Sequence, residues 1–340
     1  MSMAQTASCR RTALLHRRIK RLAGTLGLTL AALAGSVWGL RGQTETLLLS
    51  VGDAQRTALV HVPSDLDDGS RWPLVVAFHG SALNGRIMEE MTRFSALADE
   101  ERFIVAYPNG SGPANALSWN AGYCCSFALE RSADDLGFVR TLLDELIATY
   151  PVDPQRVYAT GFSNGGMLAY ALAVEMPDRF AAIAAVAGAM YPSQERPTAP
   201  VPILAIHGTD DQIVPYDGGV GLLAGISGKT EPSLSCSETI ALWVEASGCP
   251  AEPTVSRERN ARIETYDACE GRGEVTLITL VDGGHEWPSI RRDDSALLLA
   301  ETVSILGLLE QDQTETGIPW DVFESGIDAT RTIWAFFNRH

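Results

Sequence analysis

The chain is 340 residues long and 46% apolar, with 26 lysines and arginines against 42 aspartates and glutamates, a formal net charge of −16. That length and composition supply a large core and exclude a disordered or fibrous chain. The acidity, with no basic stripe to offset it, excludes nucleic acid as a partner and reads as a solvated surface.

Residues 1 to 21 hold Arg10, Arg11, Arg17, Arg18, Lys20 and Arg21 and no acidic residue, and Leu22 to Leu40 holds no charge. This is a secretory pattern, with Ala32-Leu33-Ala34 as the cleavage candidate, so residues 1–34 are expected to be a signal peptide. The uncharged stretch is also long enough to remain as an uncleaved membrane anchor. Both readings export residues 45–340, expected to be a single catalytic domain, either secreted or held in the periplasm or at the membrane by residues 22–40. No other membrane contact is expected.

Apolar runs of strand length follow at Thr46-Leu49, Ala58-Val62, Leu74-Phe78, Phe103-Tyr107, Val157-Thr160, Ala181-Ala187, Ile203-Ile206 and Val275-Val281. Segments with helical periodicity lie between several of them, at Met88-Glu100, Ala133-Tyr150, Gly165-Glu175, Ser237-Ala246 and Ile327-Phe337. The first two runs are neighbours without a helix between them and read as an antiparallel start. The later alternation builds an α/β fold, a mostly parallel eight-stranded sheet with helices on both faces. Ligands of such a sheet bind beyond the carboxyl ends of its strands.

Gly161-Phe162-Ser163-Asn164-Gly165 joins the fifth run to a helix-like segment. A Gly-x-Ser-x-Gly turn between strand and helix is a nucleophile elbow, in which small flanks let the backbone fold back and expose the serine Oγ. Serine is a weak nucleophile near neutral pH, so Ser163 requires a base and an acid that orients it. His285 follows the last run in Gly283-Gly284-His285-Glu286-Trp287-Pro288, where two glycines free a loop. Of the other histidines, His16 lies in the export segment, His340 is the last residue and His61 falls inside an early strand, while His79 and His207 each end a strand as His-Gly, which suits close backbone approach better than a base. Asp211, in His207-Gly208-Thr209-Asp210-Asp211 after the seventh run, is the expected acid, with Asp210 bracing the turn.

An oxyanion hole needs backbone N–H groups aimed at the carbonyl oxygen as it gains charge. Asn164, at a helix N-terminus directly after the serine, should supply one. Ser81, in the loop after the third run, should supply the other, with Ala82 as its nearest competitor. Trp119, in the loop after the fourth run, and Trp287 are candidates to stack on a sugar or aromatic acyl group. Asp134 and Asp135 read as charges at a helix start.

Export permits disulfides. Cys249 and Cys269 bracket two irregular strands and are the expected pair. Cys124-Cys125 is a second option, or one of them reaches Cys236. The cysteines offer no metal site of standard form, because there is no Cys-x-x-Cys pair with a nearby histidine.

The ordered set His79-Gly80, Ser118-Trp119-Asn120, Cys124-Cys125, Gly161 to Gly166, His207-Gly208-Thr209 with Asp211 and Val214-Pro215-Tyr216, Gly283-Gly284-His285 with Trp287-Pro288, and Asp328 through Phe337 resembles one esterase group of the α/β-hydrolase superfamily. That group joins feruloyl and acetylxylan esterases with polyhydroxybutyrate depolymerases. The resemblance implies an α/β-hydrolase fold and hydrolysis of carboxylic esters by Ser163, Asp211 and His285, without a cofactor. It also implies polymer-derived ester substrates outside the cell, with Tyr216 among the loop residues facing them. The acidic segment from Arg291 to Ser325 departs from the family pattern as a roof over the site or an outer layer. A competing class is a non-catalytic carbohydrate-binding protein on the same fold.

Overall fold

The computed structural model describes residues 42–340 except 53, 65, 67, 68, 114, 115, 125, 223–230 and 290–325. The expected export segment and the acidic segment from Arg291 to Ser325 therefore lie outside the described residues.

Ten strands form one sheet among the described residues: β1 Gln43–Val51, β2 Ala54–Val62, β3 Trp72–Phe78, β4 Ile104–Pro108, β5 Val152–Phe162, β6 Ala182–Val186, β7 Ile203–Gly208, β8 Thr254–Glu258, β9 Ala261–Tyr266 and β10 Val275–Leu280. Their order is β1-β2-β4-β3-β5-β6-β7-β10-β9-β8. The run β4-β3-β5-β6-β7-β10 is parallel, and the two edges are antiparallel. All eight apolar runs became strands. The two additional strands, β8 and β9, are the irregular pair expected between Cys249 and Cys269; they form an edge hairpin, exposed in β8 and half-buried in β9, whose mixed polar residues make no apolar run. The Cys249–Cys269 disulfide closes the base of this hairpin. Cys124 is also disulfide-bonded, whereas Cys236 is a buried free thiol, so the two do not pair with each other.

Among the described residues seven α-helices cover the sheet: α1 Gly85–Thr92, α2 Phe94–Glu101, α3 Ser126–Glu130, α4 Asp135–Thr149, α5 Asn164–Glu175, α6 Cys236–Ala246 and α7 Ala329–Phe337. Side chains alternate across a strand, and here both faces are dry. Leu74, Val76 and Phe78 of β3 enter one core with α4, α5 and α6, while Val75 and Ala77 enter the other with α1, α2 and α7. α5 is apolar all round, with every residue from Asn164 to Ala173 buried, so the serine's helix is sealed against the sheet.

A buried ion pair ties the antiparallel edge to the loop after β4. Arg56 of β2 and Asp135 at the start of α4 meet at 2.6 Å, with side chains 9% and 0% exposed. Asp135 also accepts the backbone N–H of Asn120 at 2.7 Å, and the Arg56 guanidinium lies 4.0 Å from the Phe138 ring centroid. Asp134 is the N-cap of α4, so the two adjacent carboxylates have separate tasks. Arg56→Ala leaves the Asp135 carboxylate buried without its cation, a loss on the order of 3 to 5 kcal/mol. The expected result is a lower urea midpoint at unchanged m-value, read by circular dichroism.

Candidate active site

Ser163 ends β5 in a left-handed conformation, φ 55° and ψ −119°, and caps α5 without using its hydroxyl. Such a backbone is costly for a residue with a Cβ and persists only where its surroundings enforce it. The glycines allow it. A Cβ on Gly161 would lie 2.3 Å from the Gly165 carbonyl group, and a Cβ on Gly165 would lie 2.2 Å from the Phe78 carbonyl oxygen. The Ser163 N–H donates to Val186 O at 2.8 Å, fastening the turn to the end of β6.

His285 reaches the serine from the loop after β10, and its Nε2 lies 2.9 Å from Ser163 Oγ. Its Nδ1 lies 2.7 Å from Asp211 Oδ2, on the loop after the adjacent strand β7. Three segments separated by up to 122 positions therefore form one hydrogen-bonded line at the carboxyl ends of β5, β7 and β10. The loops that carry Asp211 and His285 are fastened to each other: Asp210 N–H donates to Gly283 O at 2.8 Å, and Asp282 N–H to Thr209 Oγ1 at 2.9 Å. A Cβ on Gly208 would lie 2.1 Å from Gly283 O, so glycine is required where the loops touch. The Asp210 side chain stays at the exposed surface, paired with Thr209 Oγ1.

The Asp211 Oδ1 accepts two backbone N–H groups, from Ile213 at 2.9 Å and Val214 at 2.8 Å. Burial by itself would raise this acid. The imidazoles of His285 and His207, with their hydrogen bonds, outweigh burial and hold its carboxyl well below the usual carboxylate range. Glu286, the neighbour of His285, behaves oppositely: burial pushes it up to about 7, with His285 acting against the rise.

His79 is a structural histidine. Its Nδ1 donates to Gly80 O at 2.7 Å and its Nε2 accepts the Gly110 N–H at 3.0 Å, while burial pulls it down to about 4. The loop that it begins runs beside the elbow, since Gly80 lies against Phe162. Ala82 donates its N–H to Leu117 O at 2.7 Å, which commits the competitor to Ser81 elsewhere. Asn164 makes a reciprocal amide pair with the Trp119 backbone: its Oδ1 accepts the Trp119 N–H at 2.7 Å and its Nδ2 donates to Trp119 O at 3.0 Å. Arg56, Asp135, Asn120, Trp119 and Asn164 thus form a continuous chain of contacts ending one residue from the serine.

Two expected stacking surfaces are corrected here. Trp119 is fully buried, donates its indole N–H to His79 O at 2.9 Å and packs edge-on against Phe78. Trp287 is 2% exposed, packs on Phe94 and donates to Thr330 Oγ1 at 3.0 Å. Each indole found its polar partner inside the protein, so neither presents a face to a ligand. Tyr216 is half-buried, with its hydroxyl 2.8 Å from Thr279 Oγ1 and its ring edge-on to His207. Tyr123 and Tyr191, which the sequence reading passed over, stack with ring centroids 5.8 Å apart. One follows Trp119 by four residues and the other follows β6 by five, and both remain partly exposed.

Residues 51–298 match the model of the family described as "Putative esterase". The chain belongs to this esterase family. A protein from Nocardia uniformis subsp. tsuyamanensis named "Putative esterase NocK" is 34% identical over 64% of this chain and 65% of its own length. Feruloyl esterase B from Piromyces equi is 30% identical over 68% of this chain and 42% of its own length. Poly(3-hydroxyalkanoate) depolymerase C from Paucimonas lemoignei is 26% identical over 83% of this chain and 64% of its own length. The matched part is therefore less than two thirds of each relative. Among solved structures, an acetyl xylan esterase from Aspergillus awamori aligns with a TM-score of 0.52 at 18% identity, over 72% of this chain and 95% of that one, a likeness of fold. These names are the grouping that the sequence motifs suggested, and the esterase-family member has the α/β-hydrolase fold.

Proposed function

We propose that the protein is an exported carboxylic ester hydrolase that works through an acyl-enzyme on Ser163. The observation that carries this reading is the continuous line from Ser163 Oγ through His285 to Asp211. His285 Nε2 takes the serine proton as Oγ attacks the ester carbonyl, and the negative charge on the carbonyl oxygen is met by the N–H groups of Asn164 and Ser81. His285 then returns that proton to the leaving alcohol. Water, deprotonated by the same nitrogen, attacks the acyl-enzyme and releases the carboxylic acid and free Ser163. Asp211 stays ionised and fixes the tautomer with the proton on Nδ1.

The favoured substrates are feruloyl or acetyl esters of plant cell-wall polysaccharide. Support comes from the feruloyl esterase relative and from the partly exposed Tyr123–Tyr191 pair, an aromatic face in the loops after β4 and β6 where the buried tryptophans offer none. The likeness to a poly(3-hydroxyalkanoate) depolymerase favours polyester hydrolysis as the second reading. Export rests on the charge pattern of residues 1–40, and N-terminal sequencing of the mature protein tests it.

One purified sample assayed against p-nitrophenyl acetate, methyl ferulate, acetylated xylan and a polyhydroxybutyrate film separates these readings. Release of ferulate or acetate is expected. Film clearing without ferulate or acetate release replaces the favoured substrate with polyester. No turnover of any of them, together with no labelling by a fluorophosphonate, overturns the enzyme reading in favour of a binding protein.

A further inference from the structure

His207 is a second histidine on the acid. It lies within β7, and its side chain is 2% exposed beside an Asp211 side chain that is 0% exposed. Its Nε2 lies 2.8 Å from Val214 O and 3.1 Å from Asp211 Oδ2. A carbonyl oxygen can only accept, so Nε2 carries a proton and points it between the two oxygens. Asp211 Oδ2 is thereby shared by two imidazoles, His285 at 2.7 Å and His207 at 3.1 Å, while Oδ1 is held by the two backbone N–H groups. The proposed triad does not account for this fourth donor.

We infer that His207 is a positioning residue that clamps the Asp211 carboxylate and, by sharing its Oδ2, limits the proton affinity of His285. The inference rests on reading Ser163, His285 and Asp211 as the catalytic line. A carboxylate that faced His285 alone would stabilise its imidazolium fully and make it a reluctant donor to the leaving alcohol. A second donor on the same oxygen withdraws part of that field. Burial alone would lower the His207 pKa, but contacts with Cys236 and Asp211 outweigh it and carry it up to about 10, so its protons are retained across the neutral range.

The groups facing this pair are few. Cys236, the first residue of α6, hydrogen-bonds the His207 imidazole, and Tyr216 meets its ring edge-on at 6.0 Å. Around His285 lie Asp211, Ser163 and Glu286. Glu286 is present in every variant below, and because its charge interacts with His285 and Asp211 the His285 Cε1 signal, rather than the kinetic limb alone, tells Glu286 and His285 apart.

Two variants test the inference. His207→Phe fills the same space without a donor, and His207→Gln keeps an N–H donor without the imidazole charge. The expected result for His207→Phe is an acid limb of kcat/KM moved to higher pH by about 0.5 to 1 unit, with kcat reduced and KM altered less than about twofold. His207→Gln should shift the limb less and recover part of kcat. Titration of the His285 Cε1 carbon by NMR on histidine-labelled protein should show the same upward shift. This readout needs no substrate, so it tests the clamp even if the esterase reading fails. An active variant whose pH profile is scaled down without a shifted limb, or a His285 titration identical to wild type, overturns the inference. If His207→Phe does not fold, the decision rests on His207→Gln, for which an unmoved limb and an unmoved His285 titration are both contrary results.

Discussion

Ser163→Ala is expected to lower kcat/KM for p-nitrophenyl acetate by roughly 10⁴- to 10⁶-fold and to abolish fluorophosphonate labelling. The loss is large because, in the proposed mechanism, the hydroxyl oxygen forms the acyl bond and no neighbouring side chain on the elbow substitutes for it. The fold should persist. Ser163 makes no side-chain capping bond to α5, and alanine meets the same left-handed backbone with the same Cβ, so the strain is unchanged. Thermal unfolding of the variant should match wild type within the range of a surface substitution. Turnover within tenfold of wild type would assign the chemistry to another residue.

Asp211→Asn is expected to reduce kcat about 10⁴-fold, for a reason visible in the loop after β7. Oδ1 receives the Ile213 and Val214 N–H groups, so in the variant the amide oxygen must occupy that position. The amide NH2 then replaces Oδ2 and points at His285 Nδ1. An amide nitrogen donates, so Nδ1 must accept, and the imidazole proton moves to Nε2, where it faces Ser163 Oγ. The imidazole can then no longer take the Ser163 proton as the proposed mechanism requires. The same NH2 confronts the His207 Nε2–H, a meeting of donors inside the protein that costs on the order of 1 to 3 kcal/mol. Steady-state kinetics and urea unfolding measure the two losses separately. Rescue of kcat at high pH, where hydroxide supplies the missing base, would agree with a tautomer error.

The Gly-x-Ser-x-Gly turn, the apolar runs and the order of serine, acid and histidine were legible because they depend on local physics. A strand buried on both faces must be apolar throughout, and a left-handed serine must have glycine beside it. Asp211 was separable from Asp210 because only one of two adjacent residues on such a loop can face inward, and the exposed Asp210 side chain agrees with that. The β8–β9 hairpin was legible only as two irregular strands between Cys249 and Cys269, because an edge with polar side chains carries no apolar run.

Aromatic residues and buried charges were read less well. Trp119 and Trp287 were expected to face a ligand because an aromatic residue in a loop at the strand ends looks available, yet both indoles are enclosed by core packing and hydrogen-bonded internally. Whether a large amphipathic ring points in or out depends on which polar partner lies within reach of its N–H, and that partner comes from a distant segment. Asp135 looked like a charge at the start of a helix, and only the arrival of Arg56 from β2 makes it the brace of the Trp119 loop. His207 looked like half of a His-Gly strand end, although its spacing of four from Asp211 was a usable signal. By itself the amino-acid sequence determined the fold class, the elbow and the chain order of the three central side chains, since each follows from steric rules acting over a few residues. Only the tertiary structure decided which groups share the Asp211 carboxylate, which aromatics are core and which loops are fastened together, because those outcomes depend on contacts between segments that the chain keeps far apart.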